Sequence, residues 1–88
     1  MPIEVRKPTE EEMKMAESWP TWTKEISEFP WSYPEKETCF ILKGAAEAEG
    51  ANGEKTSFAA GDWVVFPQGL ECVWRVKEPI EKKYKFGE

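Results

Sequence analysis

The sequence predicts an all-β barrel or sandwich preceded by one short helix, and three observations carry that expectation. From Trp22 onward, prolines and glycines recur every several residues with Val, Ile, Phe and Trp between them, the punctuation of short strands and tight turns. Residues 70–76 alternate with period two, so that Leu70, Cys72, Trp74 and Val76 share one face of a strand and Glu71, Val73 and Arg75 the other. An Asn52-Gly53 pair stands between two short runs of strand-like pattern and reads as a hairpin turn. Eighty-eight residues suit one small domain over 1–88, with a strand and helix in 1–18 and the barrel in 19–88. Five tryptophans within an aromatic content of 14% supply large apolar groups for a core or for the walls of a pocket.

The elements follow in chain order. Residues 2–7 place Ile3 and Val5 on one face, which suits an edge or exchanged strand closed by Pro8. Thr9 is an N-cap, because Glu10, Glu11 and Glu12 fill a first helical turn where negative charge meets the positive end of the helix dipole. Glu12, at the third position, completes a capping box, and the short helix through 13–17 ends before Ser18-Trp19-Pro20. Strands are expected over 22–26, 31–33, 37–43, 45–49, 55–59, 62–66, 70–76 and 82–86. Asn52-Gly53 is suited to a type I′ turn, which needs two positive φ angles. The alanine-rich run between Gly44 and Gly50 is too short for a helix and is read as strand.

The net charge of −5 comes with no basic face able to neutralise several phosphates, which excludes DNA and RNA as partners. Either side of Thr38 the chain carries nine acids against five bases and then eight against seven, so the negative surplus lies near the N-terminus. No apolar run approaches the ~20 residues that span a bilayer, and the start MPIEVRKPTEEE lacks a signal-peptide pattern. The expectation is a soluble, intracellular, cytoplasmic protein with no membrane partner. Two cysteines are too few for a disulfide framework, so Cys39 and Cys72 are expected as buried thiols.

Alternation points Cys72 inward and sets Glu37, Cys39 and Ile41 on one face, with Phe40 and Leu42 opposite. A strand apolar on both faces is covered on both. One cover is the barrel interior, and the other is expected to be a second copy, giving a homodimer through Phe40, Leu42 and the N-terminal strand.

Gly61, Pro67 and Gly69 stand at the spacing of the second cupin motif, with Cys72 at its histidine position. Glu37 and Gly44 fit the first motif, with Trp31 and Tyr33 at its two histidine positions. On these landmarks the chain resembles a cupin, which implies a double-stranded β-helix of jelly-roll type. The patterns around ETCFILKG, GDWVVFPQGLECVW and Lys83-Tyr84-Lys85-Phe86 are similar to small single-domain cupins of the ureidoglycine aminohydrolase type, over residues 19–86.

The resemblance implies a divalent metal held by three imidazoles and a carboxylate, yet the chain has no histidine. Tryptophan cannot ligate and neutral tyrosine is a poor ligand, so no metal cofactor is expected; if one bound, Glu37 and Cys72 would hold it. Cys72 lacks the neighbouring base or cation that makes a thiolate nucleophile, and it reads as a small apolar filler. Glu37 allows two readings: an anchor satisfied by the Tyr33 hydroxyl or a backbone N–H, or a pocket carboxylate that receives a cationic or hydrogen-bond-donating ligand. Trp31, Trp63 and Trp74 belong to the barrel wall or mouth, where rings also stack on planar ligands. Lys82, Lys83 and Lys85 read as a solvated strand face. The expected function is binding of a small polar ligand at Trp31, Tyr33, Glu37, Cys72 and Trp74. The alternatives are metal-dependent hydrolysis of the ureidoglycine aminohydrolase kind and a non-catalytic dimeric interaction module.

Overall fold

A computed structural model describes residues 2–87; the two terminal residues of the expected domain lie outside the described residues. Strand β1 (Glu4–Arg6) leads to helix α1 (Glu10–Ala16), followed by β2 (Thr21–Lys24), β3 (Ser27–Ser32), β4 (Glu37–Gly50), β5 (Lys55–Ala59), β6 (Trp63–Phe66) and β7 (Glu71–Phe86). The strands form one antiparallel sheet with the path β1-β6-β4-β7-β2, while β3 adds to β7 and β5 adds to β4.

Two long strands organise this sheet. Residues 37–43 and 45–49, expected as separate strands, run continuously as β4, and residues 70–76 and 82–86 likewise merge into β7. The two pair along nearly their whole length, with register shifts between Ile41 and Ala46. Below those shifts β4 pairs with β6 and β7 with β2; above them β4 pairs with β5 and β7 with β3. Bulges bend a strand and increase its twist, so the sheet folds into two facing layers around one interior. Gly44 sits at the corner with φ +87°, and a Cβ there would overlap the Pro79 carbonyl. Gly44 and Pro79 therefore mark a bend, where their residue types alone suggest breaks.

The interior is filled from both layers by Tyr33, Ile41, Phe58, Val64, Phe66, Trp74 and Ile80. Inward alternation of Leu70, Cys72, Trp74 and Val76 agrees with the sequence, and all four are buried.

Two local expectations are met or refined. Thr9 accepts from the Glu12 backbone N–H while the Glu12 carboxylate accepts from the Thr9 N–H, the reciprocal pair of a capping box. Paired hydrogen bonds from Arg6, reinforced by the Thr9 backbone, hold the Glu12 carboxyl down to about 2. The Asn52-Gly53 hairpin forms but is not a two-residue type I′ turn. The Gly53 N–H donates to the Gly50 carbonyl at 2.9 Å, and the Gly50 N–H donates to the Glu54 carbonyl at 2.9 Å. Gly53, at φ +86°, occupies the left-handed position that ends a three-residue loop. Strand β1 pairs antiparallel with β6 along the edge of the sheet.

Candidate functional site

Glu37 opens β4 between Phe66 and Phe86 on the neighbouring strands, which points its carboxylate between the layers. A buried carboxylate needs partners, and it has two. The Cys39 thiol, on the same face two residues later, donates to Glu37 Oε2 at 2.9 Å. The Lys82 ammonium, from β7, donates to the same oxygen at 2.7 Å, and both members of this ion pair are almost fully buried.

Lys82 Nζ also stands 4.7 Å from the ring centres of both Trp22 and Trp74 and 5.7 Å from that of Phe66. Indole faces attract a desolvated cation, offsetting part of the hydration that the ammonium has lost. The Trp74 indole N–H donates to the Tyr33 hydroxyl at 2.9 Å, and Tyr33 stacks on Phe66 at 4.8 Å. Burial, followed by the Glu37 charge, drives the Tyr33 phenol far above its usual range and keeps it neutral.

These groups face a half-open cavity of about 200 Å³. Trp22, Phe29, Trp31, Trp74, Tyr84 and Phe86 form its walls, and Glu37, Lys82 and Tyr33 supply its polar atoms. Trp31 and Phe86, at 45% and 43% exposed, mark the mouth.

Four of the five residues singled out from the sequence, Trp31, Tyr33, Glu37 and Trp74, thus line one cavity. Cys72 is buried on β7, paired across from Trp31 and Gly50, and does not line it. Burial pushes the Cys72 thiol up, with the Lys82 charge opposing. It is Cys39 that meets Glu37, and burial raises that thiol well above its ordinary value. Trp63 lies away from the cavity, packed on Trp19 at 5.5 Å with Arg6 over its ring at 5.7 Å.

The reading of Lys82 as part of a solvated face is corrected. Pairing with Ile41 and Trp22 turns it inward, and with the Cys39 thiol it satisfies Glu37, in place of the Tyr33 hydroxyl, backbone N–H or ligand donor that the sequence suggested. Ile80, Lys82 and Tyr84 share a face of β7, and the apolar neighbours on that face were the available signal. Lys83, on the other face, donates to the Trp19 carbonyl at 3.2 Å. Trp22, Phe29, Tyr84 and Phe86 are the other lining residues that sequence reasoning did not place.

The metal implied by the cupin resemblance does not fit this donor set. Among the described residues, no group of three or more Cys, Asp or Glu is placed to share an ion. The one cavity carboxylate is already paired with an ammonium, whose charge repels a divalent cation. Trp31 and Tyr33, at the motif's histidine positions, offer an indole and a neutral phenol.

The EutQ-like cupin domain family matches residues 11–84. A DUF861 family protein from Thermotoga maritima superposes with a TM-score of 0.93 at 45% identity, covering 97% of this chain and 99% of that one. A putative ethanolamine utilization protein Q from Salmonella typhimurium gives a TM-score of 0.71 at 18% identity over 97% of this chain and 68% of its own. The EutQ protein of Clostridium difficile gives 0.72 at 17%, over 97% and 67%. The last two likenesses show the fold alone. No curated protein shows significant similarity to the chain.

Proposed function

The chain belongs to the EutQ-like cupin domain family, and from that premise we propose that it is a small-molecule-binding cupin that works without a metal. Its ligand is held between the aromatic walls and against the Glu37–Lys82 pair. The observation that carries this reading is the buried ion pair fronting a half-open aromatic cavity. A desolvated pair stabilises a fold no better than well-packed apolar side chains of similar volume. A few convergent polar groups within apolar walls are, by contrast, the usual make-up of a small-ligand site. Because the pair is neutral in sum, the ligand is a small polar molecule rather than a cation. No feature of the cavity favours the metal-dependent hydrolysis implied by the narrower resemblance to ureidoglycine aminohydrolases.

The test is a thermal-shift screen of small polar compounds on the wild type, Glu37→Gln and Trp31→Ala. Trp31 is exposed, so its truncation leaves the core intact. A compound present at a hundred times its Kd should stabilise the wild type by about 2.7 kcal/mol. That stabilisation should shrink in both variants. Equal shifts in all three proteins would remove the assignment.

A further inference from the structure

We infer that Lys82 is a carbonyl-capturing lysine, which condenses with a small aldehyde or unhindered ketone in the cavity to form a protonated imine. This rests on the reading of the cavity as a ligand site and goes beyond it by assigning a reactive atom. Three observations converge on Nζ of Lys82. Lys82 is one of the residues lining a half-open cavity of about 200 Å³, room enough for a small carbonyl compound. Its Nζ is 2.7 Å from Glu37 Oε2, within direct proton-transfer distance. It also stands 4.7 Å from two indole ring centres, Trp22 and Trp74.

The condensation balances within this set of groups. Glu37 takes a proton from the Lys82 ammonium, and the freed nitrogen lone pair forms a bond to the carbonyl carbon. The carbonyl π pair moves to oxygen, and the second proton that nitrogen sheds passes to that oxygen, giving a neutral carbinolamine while Glu37 stays protonated. Glu37 then delivers a proton to the departing hydroxyl, the C–O bond breaks to release water, and the nitrogen lone pair closes the C=N bond. Nitrogen keeps one hydrogen and carries the positive charge. Ammonium plus carbonyl becomes iminium plus water, and no oxidant, reductant or co-reactant enters.

Charge conservation is why this site suits the product. The carboxylate and indole faces that hold an ammonium hold an iminium equally well, because each carries one positive charge in the same place. Aromatic walls also limit the water that would hydrolyse the imine. Exposed lysines such as Lys55 and Lys77 have neither the adjoining general base within an apolar cavity nor that shelter.

The experiment incubates the wild-type protein with benzaldehyde and cyanoborohydride, which reduces an imine to a stable benzylamine, and maps the label by peptide mass spectrometry. One benzyl group per chain is expected, on Lys82, formed about tenfold or more faster than on Lys55 or Lys77. Benzyl alcohol, the non-condensing analogue, should protect Lys82, and Glu37→Gln should slow its labelling about tenfold while leaving the exposed lysines unchanged. Lys82→Arg retains the charge without the condensing amine and should lose the label; the wild-type map decides even if that variant does not fold. Protection and thermal stabilisation by benzyl alcohol with Lys82 labelled no faster than exposed lysines would overturn the imine and leave the ligand-binding reading standing. Uniform lysine labelling with no effect of benzyl alcohol would overturn the imine, and a failed compound screen would remove the ligand reading separately.

Discussion

Removing Lys82 leaves the buried Glu37 carboxylate with the Cys39 thiol as its hydrogen-bond partner and no counter-charge, whereas removing the carboxylate charge leaves an ammonium still resting on the faces of Trp22 and Trp74. The two losses are therefore unequal. Lys82→Met should destabilise the fold by about 3–5 kcal/mol, the range for breaking a buried pair from one side. Glu37→Gln keeps an amide oxygen for Lys82 and Cys39 and should be milder. The double variant Glu37→Gln/Lys82→Met should be more stable than Lys82→Met alone, because no uncompensated charge is left behind. Urea unfolding of all four proteins measures the cycle, and additive losses would show that the residues do not act as a pair. The pair also marks where the site was legible and where it was not. Glu37 was visible because a carboxylate on the face of Cys39 and Ile41 stands out in a strand pattern. Lys82 was masked by Lys83 and Lys85 beside it and by a partner 45 residues away, a contact that local periodicity does not contain.

At the scale of elements, the helix start was legible because a capping box lies within four residues of chain. The long strands were not, since their continuity depends on pairing between β4 and β7 across distant segments. Gly44 looked like an interruption because the close approach of Pro79 cannot be read from Gly44's own neighbours. Asn52-Gly53 located its hairpin correctly, but the turn closes one residue earlier than the dipeptide suggests. These two glycines make a paired prediction. Gly44→Ala adds left-handed strain to overlap with a buried backbone and should destabilise by about 2–5 kcal/mol. Gly53→Ala has a similar φ, but nothing lies within 4 Å of its added Cβ, so its loss should be only about 1–2 kcal/mol. Chemical denaturation of the two variants ranks them, and equal losses would mean that the corner does not depend on Gly44.

For the whole molecule, the sheet path places β1 and β2 at opposite ends, so the cavity wall that β2 supplies through Trp22 lies across the sheet from the β1 edge. That edge is the natural place for self-association. Part of the outer face is already covered within the chain, since Trp63 packs against Trp19 and Phe40 and lies under Arg6. Met15 remains exposed beside it, and Phe40, Leu42 and Val65 are only half-buried, while Val5, opposite Val64 on the other face of β1, is exposed at the open edge. We propose that two copies pair through β1 as a homodimer. A two-fold axis at Val5 sets Glu4 opposite Arg6 of the second copy, a favourable cross-strand charge pair, while it seals both open edges. Sedimentation at high micromolar concentration should report a dimer, and Val5→Lys should shift it to monomer by placing like charges together at the axis. A wild-type monomer under those conditions overturns the pairing. Because no residue of β1 lines the cavity, Val5→Lys should keep the ligand-induced thermal shift of the wild type; its loss would mean that the second copy helps to build the site.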